Sequence, residues 1–495
     1  SPVSLRRPGW SHRLGPTVLA LALWPAAAQA QDLLSVWRAA EQHDRTLAVA
    51  RAEHAATQAR REQAEALRRP NVMLGLGAGL GAGDTRMKGA QFSAPGFGTS
   101  EGVDFATSVH AGAATRAALT ARQPLLNRGR DAARAQLQLG ADMGDSAWRS
   151  ARDAVLLRTV ERYFALAVAQ EQLRVSERQA ESVARATTEA HDRFQLGESP
   201  FTDTPEADAA LAGVRAQVEA ARLQRELAQQ ALSDSTGLPN PTARLPARSA
   251  APSETLQSWI DAAQSANPQL RLAAQGVTLA EQELRRRRAG DSVSVDLVAQ
   301  AGFDRLGGRG EFGSASNRNA NAMVGVQLNI PLYDGGMSRA QASEGARLLD
   351  KAQAQLEQAR EQVAEQVRTA WLGGQAGQAR VNALDDGLKA SAARLDATRL
   401  GRQVGDRTLL DVLNAENDHA RAALALAQAR ADQVQFRLRL AALADRLDEM
   451  ALAEVNASLA PQEPPPAPPA TPATPAPPEQ GAHPPASQPR RKDRR

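Results

Sequence analysis

Apolar residues alternate with polar residues or glycine in four short segments of the chain. The segments are residues 71–82, 115–123, 293–304 and 322–330. In the last one, Val324, Val326 and Leu328 are separated by single residues of the other kind, which gives one wholly apolar face. Each segment has about the 10 residues that a tilted membrane strand needs. The pattern predicts four membrane-spanning β-strands, and the alternative is a half-buried sheet in a soluble protein.

Elsewhere the apolar residues recur at helical spacing. Two stretches without proline, residues 127–195 and 337–402, predict helices on the order of 100 Å long. Gly373 and Gly374 lie inside the second and predict a local weakening or a kink. Shorter helices are predicted over residues 31–69, 206–235, 255–288 and 411–448. The strands of each pair are joined by polar segments, 83–114 and 305–321, which are predicted to be loops; the alternative for residues 103–113 is an extension of the second strand.

The chain contains one internal repeat. The segment that ends at Trp37 resembles the segment that ends at Trp259, and two further pairs of segments follow in the same order. These pairs are 123–129 with 329–336, and 194–203 with 402–411. A duplicated unit of about two hundred residues explains three matches in one order. We therefore divide the chain into a first repeat, 31–240, and a second repeat, 241–455.

Both ends of the chain differ from these repeats. Residues 1–30 combine a basic start with a short apolar run and Ala28-Gln29-Ala30, which predicts a signal peptide with Gln31 as the mature start. The alternative is an uncleaved membrane anchor. Residues 456–495 are rich in proline and alanine with a basic end, which predicts a disordered tail. Such a tail is either a solvated extension or a partner-binding segment.

The charge distribution argues against a nucleic-acid partner. The net charge is +4, and three arginines near the start contribute +3 while residues 461–495 contribute +2. The remaining body therefore carries −1 and has no basic footprint for nucleic acid. The basic run Arg285–Arg288 at a predicted helix end has two interpretations: it is a solvated helix end, or it contacts lipid head groups.

The sequence contains little that indicates catalysis. The seven histidines are scattered without metal-ligand spacing, and cysteine is absent. The glycine-rich run 75–83 does not match the dinucleotide-binding pattern, and no phosphate-binding loop sequence occurs. We therefore predict no enzyme activity, no cofactor and no metal site.

Four strands per chain cannot close a barrel, and open sheet edges are not tolerated in lipid. Several chains must therefore share one barrel if the strands lie in a membrane. This step predicts an oligomer without reference to any family.

Two strand–helix junctions resemble the signature of the TolC family of outer-membrane export factors. The junctions are Gln123–Gly129 and Asn329–Gly336, with Pro124, Pro331 and Gly335 as their landmark residues. The segment 405–415 also resembles a turn of this family. The resemblance implies a homotrimer in the outer membrane whose twelve-stranded β-barrel continues into a long periplasmic α-helical barrel. It also implies two partners, a periplasmic adaptor and an inner-membrane ABC transporter.

The resemblance further implies a gate at the periplasmic mouth. In the family, two acidic positions form carboxylate rings there; they correspond to Asp411 and Asn414, and the asparagine departs from the pattern. The gate-locking arginine corresponds to Arg407, and the locking tyrosine is replaced by Arg402. Their acceptors correspond to Asp203 and Thr202, so an Arg402–Asp203 ion pair is expected. The alternative role of these residues is helix capping near tight turns.

Three functions are compatible with this sequence. We favour an exit duct for type I secretion of a protein such as a toxin, since the chain has no cysteine to lipidate and its second junction resembles that branch. The second is an outer-membrane duct for small-molecule efflux. The third, from a different class, is a periplasmic coiled-coil adaptor.

Overall fold

The computed structural model describes residues 32–248, 251–311 and 313–460, with residue 291 described by its backbone alone. The predicted signal peptide and residues 461–495 of the predicted tail lie outside the described residues.

The first half of the described chain contains two helices, two strands and two further helices. These are α1 (Leu33–His43), α2 (Arg45–Ala66), β1 (Asn71–Ala94), β2 (Gly98–Asn127), α3 (Arg128–Gln195) and α4 (Asp203–Thr236). The second half repeats this order. It contains α5 (Leu256–Ala266), α6 (Pro268–Arg288), a 3-10 turn (Ala289–Asp291), β3 (Ser294–Gly310), β4 (Gly313–Asn329), α7 (Met337–Gln403), α8 (Leu409–Leu443) and α9 (Glu449–Ser458).

Two predicted helices are each divided in two. The Asp44 side chain accepts hydrogen bonds from the backbone N–H groups of Thr46 and Leu47, and so begins α2 immediately after α1. Asn267 does the same for α6, which has Pro268 as its first residue. The single helices predicted over 31–69 and 255–288 were therefore wrong, because a side-chain cap satisfies the new helix start at each break.

The predicted tail begins too early. Residues 456–458 belong to α9, whose Leu452 and Val455 are buried in the same cluster as Trp37. The Asn456 side chain also accepts a hydrogen bond from Leu33 N–H at 2.9 Å. These contacts extend the folded chain beyond the predicted boundary at 455.

The strands are longer than their apolar segments. The predicted loop 83–114 instead extends β1 and β2, which pair as far as Ala94 with Gly98. The predicted loop 305–321 extends β3 and β4 in the same way, as far as Gly310 with Gly313. The alternative for residues 103–113 is confirmed, since they belong to β2. The rest of both loop predictions was wrong because ladder pairing uses backbone groups and does not require apolar side chains. The apolar pattern marks only one part of each strand.

The four strands form one antiparallel sheet in the order β1-β2-β3-β4. Its register aligns Ala117 with Phe303 and Ala301 with Ala322, so the apolar residues of neighbouring strands share one face. Because side chains alternate along a strand, the polar residues share the other face. There Arg116 pairs with Asp304 at 2.6 Å across β2 and β3. Within the described residues, β1 and β4 each have a neighbour on one side only.

The helices pack around a repeated pair of tryptophans. Trp37 is buried with Tyr163 and Phe164, and Arg152 lies over its ring at 5.4 Å. In the second half, Arg446 lies over Trp259 at 4.9 Å. The long helix α7 continues through Gly373 and Gly374, where Phe436 and Pro252 approach too closely for a larger side chain. These glycines therefore allow close packing and do not end the helix.

A half-buried carboxyl on α3 makes the stability of this helical region depend on pH. Burial and the nearby Asp445 raise the pKa of Asp153 from 3.8 to about 6. The folded state therefore holds this proton more tightly than the unfolded chain, and stability falls as pH rises from about 4 to about 6.

We expect Asp153→Asn to raise the free energy of unfolding at pH 7.5 by about 1–2 kcal/mol after solvent screening, with little effect at pH 4. Thermal unfolding at the two pH values measures the difference. The exposed Asp261 provides the control, since Asp261→Asn removes the same charge. An equal gain in the free energy of unfolding at both pH values would contradict the raised pKa of Asp153.

Candidate functional site

The candidate site lies where two helical hairpins turn. The turn between α3 and α4 contains Gly197 at φ 75°, and the turn between α7 and α8 contains Gly405 at φ 81°. Glycine adopts this left-handed backbone without strain, which explains the glycine at both equivalent positions. The hairpins meet in one apolar cluster that includes Val183, Val214 and Leu409. Polar side chains of both hairpins therefore come within reach of one another.

An ion pair joins α7 to α4. Arg402 Nη2 lies 3.2 Å from Asp203 Oδ2, and the two side chains are only 12% and 13% exposed. Burial matters because solvent screens exposed pairs to little net effect, whereas a buried charge that loses its partner is costly. Asp203 is the first residue of α4, so the helix dipole also favours its negative charge.

A second polar link lies one helical turn before Arg402. The Arg399 guanidinium donates to the Ser182 hydroxyl at 3.0 Å and also to the Glu416 carboxylate. Ser182 donates to the same carboxylate at 2.5 Å, and the Glu416 side chain is only 8% exposed. This link joins α7 to both α3 and α8.

The sequence did not predict this second link. Arg399 could have been found, since it precedes Arg402 by three residues and therefore lies on the same side of α7. Ser182 and Glu416 could not, because they come from different helices and only the packing of the hairpins brings them together.

The structure does not bring Arg407 to Thr202. The Arg407 side chain packs against Gly401, where an added Cβ would lie 2.7 Å from Arg407 Cγ. Its backbone N–H donates to the Gly401 carbonyl at 3.2 Å. Thr202 precedes α4, and its hydroxyl makes no capping hydrogen bond there. Within the described residues, no hydrogen bond joins these two side chains.

Asp411 caps α8. Its carboxylate accepts hydrogen bonds from the Thr408 N–H and hydroxyl, each at 2.9 Å, and the Thr408 hydroxyl accepts from Asp411 N–H at 3.1 Å. These bonds lower the pKa of Asp411, so it remains charged at neutral pH. Asn414 lies one turn further along and is exposed. The two positions are thus one carboxylate of the capping box and one exposed amide.

The strand–helix junctions are built alike in both repeats. Asn127 accepts a hydrogen bond from Arg130 N–H at 2.9 Å and caps α3, three residues after Pro124. Asp334, three residues after Pro331, accepts from Gly336 N–H and Ser338 N–H at 2.9 and 2.6 Å. Pro124 lies at an irregularity of the β2–β3 pairing, where a missing N–H is tolerated. Gly335 and Gly336 have φ values of 72° and 90° and turn the chain into α7.

No helix among the described residues is both long and apolar enough to cross a membrane. No group of their histidine, aspartate and glutamate side chains is arranged to bind a metal ion.

Comparison with known sequences gives matches along most of the chain. A family model described as "Outer membrane efflux protein" matches residues 36–238 and 259–445. The proteases secretion protein PrtF of Dickeya chrysanthemi is 27% identical over 457 residues, 88% of this chain and 93% of that protein. The alkaline protease secretion protein AprF of Pseudomonas aeruginosa is 27% identical over 330 residues, 65% and 68% of the two chains. The outer membrane protein TolC of Escherichia coli is 26% identical over 360 residues, 70% and 72%.

Solved structures resemble the fold. The outer membrane protein VceC of Vibrio cholerae has a TM-score of 0.65 at 19% identity, over 84% of this chain and 97% of that chain. The CmeC outer membrane channel of Campylobacter jejuni has a TM-score of 0.67 at 16% identity, over 92% and 98%.

Proposed function

The chain belongs to the outer membrane efflux protein family, and we propose that three copies of it form an exit duct for secreted proteins. Family membership confirms the predicted TolC-like fold and the outer-membrane location. We propose the trimer, the cargo and the partner proteins.

The four-stranded sheet is the observation that most strongly supports the proposed duct. Its apolar face is wide and exposed: Val324 is 76% exposed and Leu80 is 92% exposed. Its two edge strands would leave unpaired backbone groups in lipid, where each costs several kcal/mol. Three copies joined edge to edge close a barrel of twelve strands and remove every edge. Each strand continues into a helix at one end of the sheet, so the same three copies place twelve helices below the barrel.

The relatives favour protein cargo. PrtF and AprF are both named for the secretion of proteases, and PrtF aligns with most of this chain. In such a system the duct receives its cargo through a periplasmic adaptor from an inner-membrane ABC transporter, and these are the partners we propose. The links at Arg402 and Arg399 would hold the periplasmic mouth closed until the adaptor binds.

Small-molecule efflux is the second candidate, since the family description itself names efflux. A strain lacking this protein separates the two functions. Loss of proteins from the culture medium, with unchanged sensitivity to dyes and detergents, supports secretion. Increased sensitivity with unchanged medium proteins supports efflux. If the protein were instead isolated from the periplasm as a soluble monomer, the coiled-coil adaptor would be favoured. An adaptor does not require a sheet with an exposed apolar face.

The polar face of β1 provides a test of the duct itself. Gly77 and Gly79 lie on this face, and a Cβ built at either one meets no atom within 4 Å. Their neighbour Ala78 points to the apolar face. We expect Gly77→Leu with Gly79→Leu to lower single-channel conductance in planar bilayers, because six new side chains enter the pore of a trimer. Ala78→Leu should leave conductance unchanged. Equal conductance in both variants would place the pore elsewhere.

A further inference from the structure

Arginines gather at the end of the sheet where strands become helices. The run Arg285–Arg288 closes α6 just before β3, and Arg128 opens α3 just after β2. Two members of the run have acidic partners: Arg286 and Arg287 pair with Glu283 at 2.9 and 2.8 Å, and Arg287 also pairs with Glu344. The other arginines of this group, Arg128, Arg285 and Arg288, lie in a different environment.

Arg128, Arg285 and Arg288 line one cavity of about 430 Å³ between α3 and α6. Within the described part of the chain, no hydrogen bond or ion pair engages their guanidinium groups. Among the described side chains that line the cavity, Asp131 is the acidic one, and it is already engaged with Arg68 at 3.6 Å. The cavity therefore carries more positive than negative charge. The N–H groups of its three guanidinium groups are available as hydrogen-bond donors.

The cavity lies at the end of the sheet where the apolar face begins. Ser294 pairs with both Asn127 and Asn329, so the arginine-bearing helix ends share this level. The next pair, Val295 with Leu328, is the first of the apolar face. Beyond β4, Leu332 and Tyr333 are 92% and 90% exposed. Exposed tyrosine is typical of the boundary between hydrocarbon and head groups.

We propose that this cavity binds the phosphate of an anionic phospholipid in the leaflet next to the helices. Guanidinium groups bind phosphate oxygens through paired hydrogen bonds, and basic pockets between membrane segments select anionic head groups. The neighbouring apolar face accepts the acyl chains, which a free phosphate lacks. The inference rests on the proposed placement of the sheet in the membrane.

The experiment is native mass spectrometry of the full-length protein in detergent with equimolar phosphatidylglycerol and phosphatidylcholine of the same acyl chains. We expect the wild type to retain phosphatidylglycerol about tenfold more than phosphatidylcholine. R128Q/R285Q/R288Q should bind both lipids equally. The control R305Q/R309Q/R318Q removes three arginines further along the strands, and it should keep the preference. A single R285Q variant, expected to show a reduced preference, replaces the triple variant if that fails to fold.

A triple or single variant that keeps the full preference would overturn the proposal, as would a wild type without one. Displacement of phosphatidylglycerol by inorganic phosphate at equal concentration would also overturn it, since the site would then bind free anions. Failure of the proposed function gives a different result, because the wild type would then not form conducting channels. Loss of the lipid preference in a conducting channel counts only against the lipid site.

Discussion

A channel that carries both Arg399→Ala and Arg402→Ala is expected to be open at rest, whereas the unchanged channel is expected to be closed. The two arginines hold α7 against helices of the other hairpin through Asp203 and Ser182. A hydrogen bond to a charged group contributes about 1.5–3 kcal/mol, and each ~1.4 kcal/mol changes an equilibrium about tenfold. In a trimer the loss occurs three times. Removing the arginines also leaves buried carboxylates unpaired until the hairpins separate and water reaches them.

Single-channel conductance in planar bilayers measures this effect. Arg394→Ala is the matched control, since Arg394 also lies on α7 and pairs with Asp418 at 2.8 Å. That pair is exposed and stays within one hairpin, so its loss should leave conductance unchanged. Wild-type conductance in the double variant would mean that the hairpins are held together by other contacts. Opening by Arg394→Ala would mean that any loss of charge on α7 opens the mouth.

The arrangement of the hairpin ends could be predicted only in part. The resemblance to the TolC family implied that Arg402 and Asp203 lie together, because both correspond to lock positions of that family, and the structure pairs them. Arg407 also occupies such a position, yet its side chain packs on Gly401 instead. A sequence position identifies which turn a residue belongs to, but the direction of a long side chain depends on neighbours that come from other helices. For the same reason Ser182 and Glu416 could not be foreseen.

The fold was more predictable where a pattern is periodic. The apolar alternation identified the face of each strand, because a strand exposes every second side chain to the same side. It did not identify the ends: the outer parts of β1 to β4 carry glycine, serine, threonine and asparagine but still pair through their backbones. Helix breaks were missed in the same way, since one polar residue such as Asp44 or Asn267 is enough to end one helix and cap another.

Two adjacent residues of β4 point to opposite faces of the sheet. Val324 points to the apolar face and Met323 to the polar face, where it pairs with Gln300. Val324 lies well inside the apolar segment. Leu328, by contrast, is the penultimate residue of β4 and lies close to the helices. An arginine costs about 2–4 kcal/mol at the membrane midplane and about 0–1 kcal/mol near its surfaces. We therefore expect Val324→Arg to prevent assembly and Leu328→Arg to be tolerated far better.

Met323→Arg should assemble like the wild type, because its new charge would enter the water-filled pore. Heat-modifiable trimers in outer-membrane fractions, detected by gel electrophoresis, report assembly of all three variants. Equal loss of trimers from Val324→Arg and Met323→Arg would mean that both faces of the sheet are buried, and the single apolar face would have to be abandoned. If Val324→Arg instead assembled at wild-type levels, the placement of the sheet in the membrane would be contradicted.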